Sequence, residues 1–523
     1  MQIRKLVILS TVSGLFLGMG ACAGDPNDPM TWAKKLSNVR EQQEALNQLA
    51  KMGVERAKVA LPSLIALYKE TKKPEHLDAL VRFKDPSLIP LYTEALDFTE
   101  DDFDRAIIAA GALGDLREEA IEAVPALMKA VEHTLPIKSR ANGVRLAGIR
   151  ALAKIGDKRA VPTLSKILTT SADDQDFLLN MKSALALAEL RDPAGIPALI
   201  KGLFMTGRGA NIFQECRLGL VRMGEPAVRP LIELLNEKNP EINEMAKKLD
   251  FEKYSPGIVP FKAAFLLGDL RSPKAVPALA ARLKIPAKSG EHKAVLIALG
   301  FIGTKDAVDV LLATLKDKKA DAPTRSAAED GIYLSGDKRA VPILMETAKS
   351  GYVVVGGMKA SDLRANAAID LSRIAGPEHY DEFKALAEKE KEVQGKFGEA
   401  LDRMQVAKEC GDKIECYGKA LGDPQWTRAE KAAFFIGFAN NPQKGLPLLL
   451  SALKPVASLN QDRYPVQQAL LQSLVRLATK NDKAVIEALE KQIERDENAV
   501  RLPGARDLLG ETRVTLAVIQ NKA

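Results

Sequence analysis

Residues 151–164 read ALAKIGDKRAVPTL, and this phrase decides the fold of the chain. A small-residue apolar run leads into Gly and a polar residue, and then into Ala-Val-Pro-x-Leu. Clear copies occupy residues 112–127, 267–279 and 335–342, and weaker copies surround Pro62, Pro90, Pro197, Pro230 and Pro447. A phrase that recurs along a chain is typical of repeat architectures, in which each copy is one supersecondary unit.

The copies are regularly spaced, at roughly 35 residues from one anchor proline to the next, which suits one helix pair per repeat. Asp85, Asp157 and Asp192 lie where helix N-caps are needed, and Pro86 and Pro193 follow at first helical positions. The later Pro of Ala-Val-Pro lies about one turn further on, where we expect it to bend the first helix. Ala-rich runs let neighbouring helices approach closely. These features predict an all-α protein, an α-solenoid of about 11–13 stacked pairs.

Composition agrees with this fold and narrows the function. The 523 residues are 46% hydrophobic but only 5% aromatic, which disfavours an all-β protein. The net charge of +7 comes from 75 basic and 68 acidic residues that are interspersed along the chain. Because no concentrated basic stripe is present, we expect no nucleic-acid partner.

The repeat phrase resembles that of HEAT-repeat proteins, specifically the short HEAT-like type also found in phycobilisome lyases. The resemblance covers most of residues 40–490 and implies the solenoid fold, with little information about function. One HEAT-like family, deoxyhypusine hydroxylase, binds two irons through His-Glu pairs, whereas the four histidines here each follow a glutamate and occupy unequal phases of the repeat. We therefore expect exposed histidines at helix ends and no metal site. Because the resemblance to the lyases is confined to the generic repeat and the chain carries an export signal, we also expect no bilin lyase activity and no catalytic residue.

The N-terminus predicts export. Arg4 and Lys5 precede an apolar run over residues 6–21 that is short for a membrane span. Residues 19–22 read MGAC and resemble the lipobox of bacterial lipoproteins, with Met19 where Leu is usual. That resemblance implies a diacylglycerol and an N-acyl chain on Cys22 as the only bound groups. Cleavage after Ala23 is the alternative, and it would give a soluble periplasmic or secreted protein.

Ala23 follows the lipobox cysteine, and by the sorting rule of enteric lipoproteins it implies an outer-membrane protein that faces the periplasm. Cys410 and Cys416 enclose five residues, which permits a local disulfide in an oxidising compartment or two ordinary thiols. Cys216 lies in an apolar helical pattern and is expected to be buried.

Five segments follow from these patterns. We expect a signal peptide at 1–21, the lipidated cysteine and a tether at 22–35, and HEAT-like repeats at 36–375. A charged helical insertion with Cys410 and Cys416 is expected at 376–420, and further repeats with a terminal cap at 421–523. Residues 239–261 interrupt the pattern as a loop or extra helix, and residues 350–358 form an apolar, Gly-rich stretch.

The leading hypothesis is a non-enzymatic scaffold, anchored through Cys22, that binds an unidentified protein along the concave surface of its stacked helices. The candidate contact residues lie in the two interruptions, and they are Phe251, Tyr254, Tyr352, Val354 and Met358. The alternatives are an envelope structural or assembly factor that has no dedicated concave binding site, and a HEAT-type metal enzyme or bilin lyase.

Overall fold

The computed structural model describes residues 25–207, 209–286, 290–317, 319–350, 363–497, 499 and 503–522. Over these residues the chain forms 31 α-helices and one two-stranded antiparallel hairpin, which is the all-α solenoid that the sequence predicts. The predicted signal peptide, Cys22 and the candidate residues Tyr352, Val354 and Met358 lie outside the described residues.

The first helices are α1 (Pro29–Lys35), α2 (Gln42–Lys51), α3 (Val54–Ala57), α4 (Leu61–Thr71), α5 (Pro74–Val81), α6 (Ile89–Glu94), α7 (Asp104–Asp115), α8 (Val124–Glu132), α9 (Asn142–Ile155), α10 (Val161–Thr169), α11 (Phe177–Leu190) and α12 (Ile196–Gly202). After the hairpin of β1 (Thr206–Gly207) and β2 (Ala210–Asn211) come α13 (Phe213–Met223), α14 (Val228–Leu235), α15 (Pro240–Lys248), α16 (Phe251–Tyr254), α17 (Ile258–Leu270), α18 (Val276–Arg282), α19 (Glu291–Ile302), α20 (Lys305–Lys316), α21 (Ala322–Ser335) and α22 (Val341–Ser350). The last helices are α23 (Arg364–Ile374), α24 (Tyr380–Ala387), α25 (Gln394–Cys410), α26 (Ile414–Ala420), α27 (Trp426–Phe438), α28 (Pro442–Ala452), α29 (Tyr464–Leu477), α30 (Lys483–Glu497) and α31 (Pro503–Asn521). Short 3-10 turns lie at Lys58–Ala60, Pro86–Leu88, Arg117–Ala123, Lys158–Ala160, Pro193–Gly195, Glu225–Ala227, Pro273–Ala275, Lys338–Ala340, Pro377–His379, Val456–Ser458 and Gln461–Arg463.

The repeat phrase forms the turn between the two helices of a pair. Helix α9 ends at Gly156, whose φ of 82° is the left-handed conformation that favours glycine. The Asp157 carboxylate then accepts the Arg159 N–H and caps the turn Lys158–Ala160. Helix α10 begins at Val161, so Pro162 lies in its first turn, where a helix leaves N–H groups without partners. The expectation that this proline bends the first helix is therefore wrong.

The first helix of each pair stacks on the first helix of the next, and small residues lie where they cross. A Cβ on Gly114 would stand 2.9 Å from Ala151 Cα, and one on Gly268 would stand 2.9 Å from Ala298 Cα. The closest crossing joins α19 to α21, since a Cβ on Gly300 would lie 2.3 Å from the Gly331 carbonyl oxygen. The glycine of the repeat phrase thus marks crossing points in some repeats and ends helices in others.

Two segment boundaries need correction. Residues 376–420 are part of the array rather than an insertion, because α25 contacts both α23 and α27 and buries Phe397 and Met404. The described part of the expected tether is also folded. Trp32 in α1 is buried, and its Nε1–H donates to the Pro26 carbonyl at 2.8 Å. The interruption at 239–261 forms the extra helices α15 and α16.

The array closes on itself in its second part. Helices α13, α17, α19, α21, α23, α25, α27, α29 and α31 each contact the next, and α31 returns to contact α13. We call these nine helices the ring, and α1–α12 the arm. Hydrogen bonds from Asn521 to the Val221 carbonyl, at 2.6 Å, and from Arg191 to Gln520, at 2.7 Å, secure the closure.

Side chains of the ring fill much of its inside. Tyr333 of α21 meets Phe434 of α27 with ring centroids 5.8 Å apart, and Arg476 of α29 donates to the Leu334 carbonyl. The open concave surface expected along the stacked helices is therefore not available here, since the chain itself occupies it. Across the described ranges, no helix combines the length and apolar character that a membrane span requires.

Candidate functional site

An exposed apolar surface lies around the two extra helices, which come between α14 and α17 in the chain. Asn239 caps α15 by accepting the Ile242 N–H, Asp250 adopts a left-handed φ of 50°, and α16 follows as a single turn. Tyr254 on this turn is 71% exposed. Leu249, at the end of α15, is also exposed. We call the segment 239–257 the insertion.

The end of α18 lies beside the start of the insertion. Arg282 donates to Glu237 at 3.2 Å, which ties the last turn of α18 to the residues just before α15. Ile285 follows three residues after Arg282 and is exposed. We use the name insertion surface for Leu249, Tyr254 and Ile285, three of the nine large apolar side chains that are exposed within the described ranges.

The structure separates the two candidate residues that it describes. Phe251 is half-buried and packs against Phe204 with ring centroids 5.9 Å apart, so it holds the insertion on the array. Tyr254 points outward, and Lys253 Nζ lies 5.0 Å from the centre of its ring. A groove of about 380 Å³ runs beside Phe251 and is lined by Lys247, Ile258 and Pro260 among others. Tyr254 is thus the residue available to a partner, and Phe251 supports it.

Buried charged side chains inside the ring were missed by the sequence analysis. Arg373 donates to Asp370 at 2.8 Å and to Glu430 at 3.0 Å, and Arg403 donates to the same Glu430 at 2.7 Å. Burial raises the pKa of Asp370 to about 7. The signal was present, since these residues interrupt small-residue apolar helices, but periodicity does not tell an inward-facing charge from an outward-facing one.

Glu329 and Lys431 are buried in the same interior. Burial, followed by the charges of Asp370 and Asp330, raises the pKa of Glu329 to about 9. Burial lowers the pKa of Lys431 to about 7, and its ammonium donates to the carbonyls of Arg373 and Ala375 at 2.9 and 2.8 Å. These contacts join neighbouring helices of the ring, so we interpret this network as structural.

The histidines do not converge on one site. His76 is buried, and its Nδ1 lies 2.6 Å from Thr71 Oγ1, so the expectation that all four are exposed is wrong. Burial lowers the pKa of His76. His292 contacts the Ile285 carbonyl, and His379 lies beside Glu378. Within the described ranges no three His, Cys, Asp or Glu side chains group as metal ligands would.

The cysteines occupy two kinds of environment. Cys410 ends α25 and forms a disulfide with Cys416 in α26, with their Cα atoms 5.4 Å apart. Cys216 is fully buried in α13 with a free thiol, and burial raises its pKa, so this thiol packs as a small apolar side chain.

The sequence of the array matches a known repeat family. A family model described as HEAT repeats matches residues 93–176, 137–206 and 255–333. These segments are similar to HEAT repeats. The matched residues cover α7–α12 of the arm and the helices from α17 to α21, and the helix pairs that follow stack in the same manner. A search of curated proteins found no match.

Several solved structures share the helical-repeat architecture at low overall similarity. The complex of CpcE and CpcF of phycocyanin lyase from Nostoc is 18% identical and covers 73% of this chain and 93% of that one, with a TM-score of 0.20. Human deoxyhypusine hydroxylase is 19% identical and covers 57% of this chain and 98% of that one, with a TM-score of 0.21. A Kap95:Nup1 complex is 13% identical and covers 94% of this chain and 68% of that one, with a TM-score of 0.37. At such TM-scores the global shapes differ, and the function of these proteins does not transfer.

Proposed function

We propose that this HEAT-repeat protein is a non-enzymatic scaffold of the bacterial envelope. It is exported, anchored in the outer membrane through a lipidated Cys22, and faces the periplasm, where it binds a protein partner. The observation that carries the binding part is the exposure of the insertion surface. Tyr254 is 71% exposed, Leu249 of the same segment and Ile285 just after α18 are also exposed, and exposed large apolar side chains are typical of contact surfaces.

Two features support this choice of surface and compartment. Side chains that meet inside the ring leave no open concave face there for a protein, so a protein partner of the ring binds on its outer side or on its loops. The disulfide between Cys410 and Cys416 suits an oxidising compartment such as the periplasm. The residues that carry the proposed anchor, including Cys22, are known here from sequence alone.

Site-specific photo-crosslinking in cells tests the binding surface. A photoreactive phenylalanine analogue replaces Tyr254 in one strain and Val39 in another, since Val39 is exposed on the arm, far along the chain from the insertion. We expect a discrete adduct from position 254 that is absent from position 39. Identical patterns from the two positions, or no adduct from either, would rule out the insertion as the contact surface.

The anchor is tested separately by Cys22→Ser, which removes the thiol that lipidation requires. We expect the wild-type protein in the outer-membrane fraction and the exported variant in the soluble periplasm. If the protein's function in cells is lost in Cys22→Ser but kept when Tyr254 is replaced, the second candidate, an envelope structural or assembly factor, is favoured. Metal analysis of the purified protein checks the remaining HEAT-type enzyme alternative.

A further inference from the structure

Closure of the ring leaves a cavity near the point where α31 meets α13 and α17. Helices α13, α17, α19, α29 and α31 surround a space of about 260 Å³. The walls are largely apolar, with Phe265, Phe301, Val475 and Val518 among the lining residues. Gln468 is also part of the lining, and its exposed side chain marks the opening to solvent. We call this space the lumen.

One guanidinium in the lumen, that of Arg217, is paired with two carboxylates. Arg217, only 2% exposed, donates to Asp269 at 2.7 and 2.9 Å and to Glu511 at 2.7 and 3.1 Å. These bonds link α13, α17 and α31 across the point of closure. Bidentate pairs of this kind use the full planar fork of the guanidinium, and they account for both carboxylates that line the lumen.

A second guanidinium in the lumen has no such partner. Arg271 lies at the end of α17 with its guanidinium carbon 5.2 Å from the centre of the Phe301 ring. No side chain or carbonyl of the described residues accepts a hydrogen bond from it, although five N–H donors are available. Burial lowers its pKa to about 10, so it remains charged at neutral pH. Gln472 Oε1, also on the lining, is buried without a hydrogen-bond partner in the described chain.

Nearby cations strengthen the positive potential. Arg476 donates to the Leu334 carbonyl, and Lys522 donates to the carbonyls of Val475 and Ala478. The cationic side chains here are thus Arg217, Arg271, Arg476 and Lys522, and the carboxylates that act on them are Asp269, Glu511 and, beside Lys522, Asp482. An anion in the lumen would relieve this excess, and its hydrogen bonds to a guanidinium would be strong in an enclosed apolar space.

We propose that the lumen is a binding site for a small organic carboxylate with an apolar body. Its carboxylate pairs with Arg271, and its body fills the space between Phe265, Phe301, Val475 and Val518. This site is independent of the insertion surface, so it stands or fails without reference to the protein partner.

The test compares two probes of the same shape on the full-length protein by isothermal titration calorimetry. These are 2-naphthoate, which carries the carboxylate, and 2-naphthamide, which is neutral. We expect one naphthoate site per chain. Arg271→Gln is expected to weaken naphthoate binding by about 10- to 100-fold, as loss of a charge-assisted hydrogen bond implies, and to change naphthamide binding by less than about twofold. Arg271→Lys, which keeps the charge, should retain most of the affinity.

Arg150→Gln is the matched control, because Arg150 is exposed on α9 in the arm. Retained naphthamide binding shows that the variant lumen is intact. The proposal is overturned if wild-type protein shows no saturable naphthoate binding, if Arg271→Gln binds naphthoate as the wild type does, or if Arg271→Gln and Arg271→Lys lose it equally.

Discussion

At the scale of single residues, a buried carboxyl group inside the ring makes the stability of the fold depend on pH. Glu329 is 1% exposed on α21 and faces the carboxylates Asp330 and Asp370, with Arg325 as the opposing charge. Burial makes ionisation costly there, so the folded chain keeps the proton that an unfolded chain releases near pH 4.5. The carboxyl group is thus neutral in the fold at neutral pH.

We predict from this that raising the pH destabilises the fold through Glu329. Between about pH 4.5 and 9 the folded state binds one more proton at this site, so the free energy of unfolding falls as pH rises. Glu329→Gln should remove a slope of up to about 1.4 kcal/mol per pH unit. Urea unfolding of wild type and variant from pH 5 to 6.5 measures the difference.

The chosen window avoids the opposing contribution of Lys431, whose pKa near 7 makes stability rise with pH above that value. Groups common to both proteins cancel in the comparison. Glu487→Gln, at an exposed position on α30, is the control and should follow the wild type. Parallel stability curves for Glu329→Gln and wild type would show that Glu329 is ionised in the fold.

At the scale of helices, packing depends on a few close approaches. Helices α19 and α21 cross backbone to backbone at Gly300 and Gly331, with no side chain between them. Gly111 in α7 is also a helix-interior glycine, but nothing lies within 4 Å of the Cβ that it lacks. The same substitution therefore has opposite consequences at these two positions.

We predict that Gly300→Ala destabilises the fold by about 3 kcal/mol, because the new methyl group meets backbone atoms that cannot rotate away. Gly111→Ala should stabilise it by up to about 1 kcal/mol, since alanine loses less backbone entropy in a helix. Chemical denaturation of both variants measures the two effects. Equal changes at the two sites would mean that α19 and α21 do not cross this closely.

Many features of the individual helices and turns could be predicted from the sequence. Asp85, Asp157 and Asp192 cap turns as predicted, because a cap depends only on neighbouring residues. The position of Pro162 was misjudged, since the 3-10 turn that precedes α10 has no periodic pattern of its own. Tyr254 and Phe251 were both found as aromatic residues of an interruption, but only packing against Phe204 decides which one points outward.

At the scale of the whole molecule, the decisive contact joins distant parts of the chain. Arg217 and Glu511 are separated by 294 positions and meet where α31 returns to α13. A repeat pattern encodes contacts between neighbouring pairs, and closure depends on the small rotations that accumulate over many pairs. This is why the sequence predicted an open concave surface, and why the lumen could not be anticipated.

We predict that ending the chain after Glu497, which removes α31, opens the ring. The truncation exposes apolar residues of α13 and α29 and loses the burial of Val514, Leu516 and Ile519, worth roughly 5 kcal/mol in total. Small-angle scattering should show a larger radius of gyration, and urea unfolding a lower midpoint. The double variant Arg506→Ala, Asp507→Ala, at exposed positions on α31, should match the wild type. An unchanged radius after truncation would contradict the closure.

The return of α31 to α13 also limits how this chain can evolve. An open solenoid gains or loses a unit with little consequence, because only the two flanking units must readjust. Duplicating a helix pair within the arm would merely lengthen it. The same duplication between α13 and α31 would carry the last helix past its docking place and separate Arg217 from Glu511. Natural variation in unit number among related chains should therefore be confined to the part before α13.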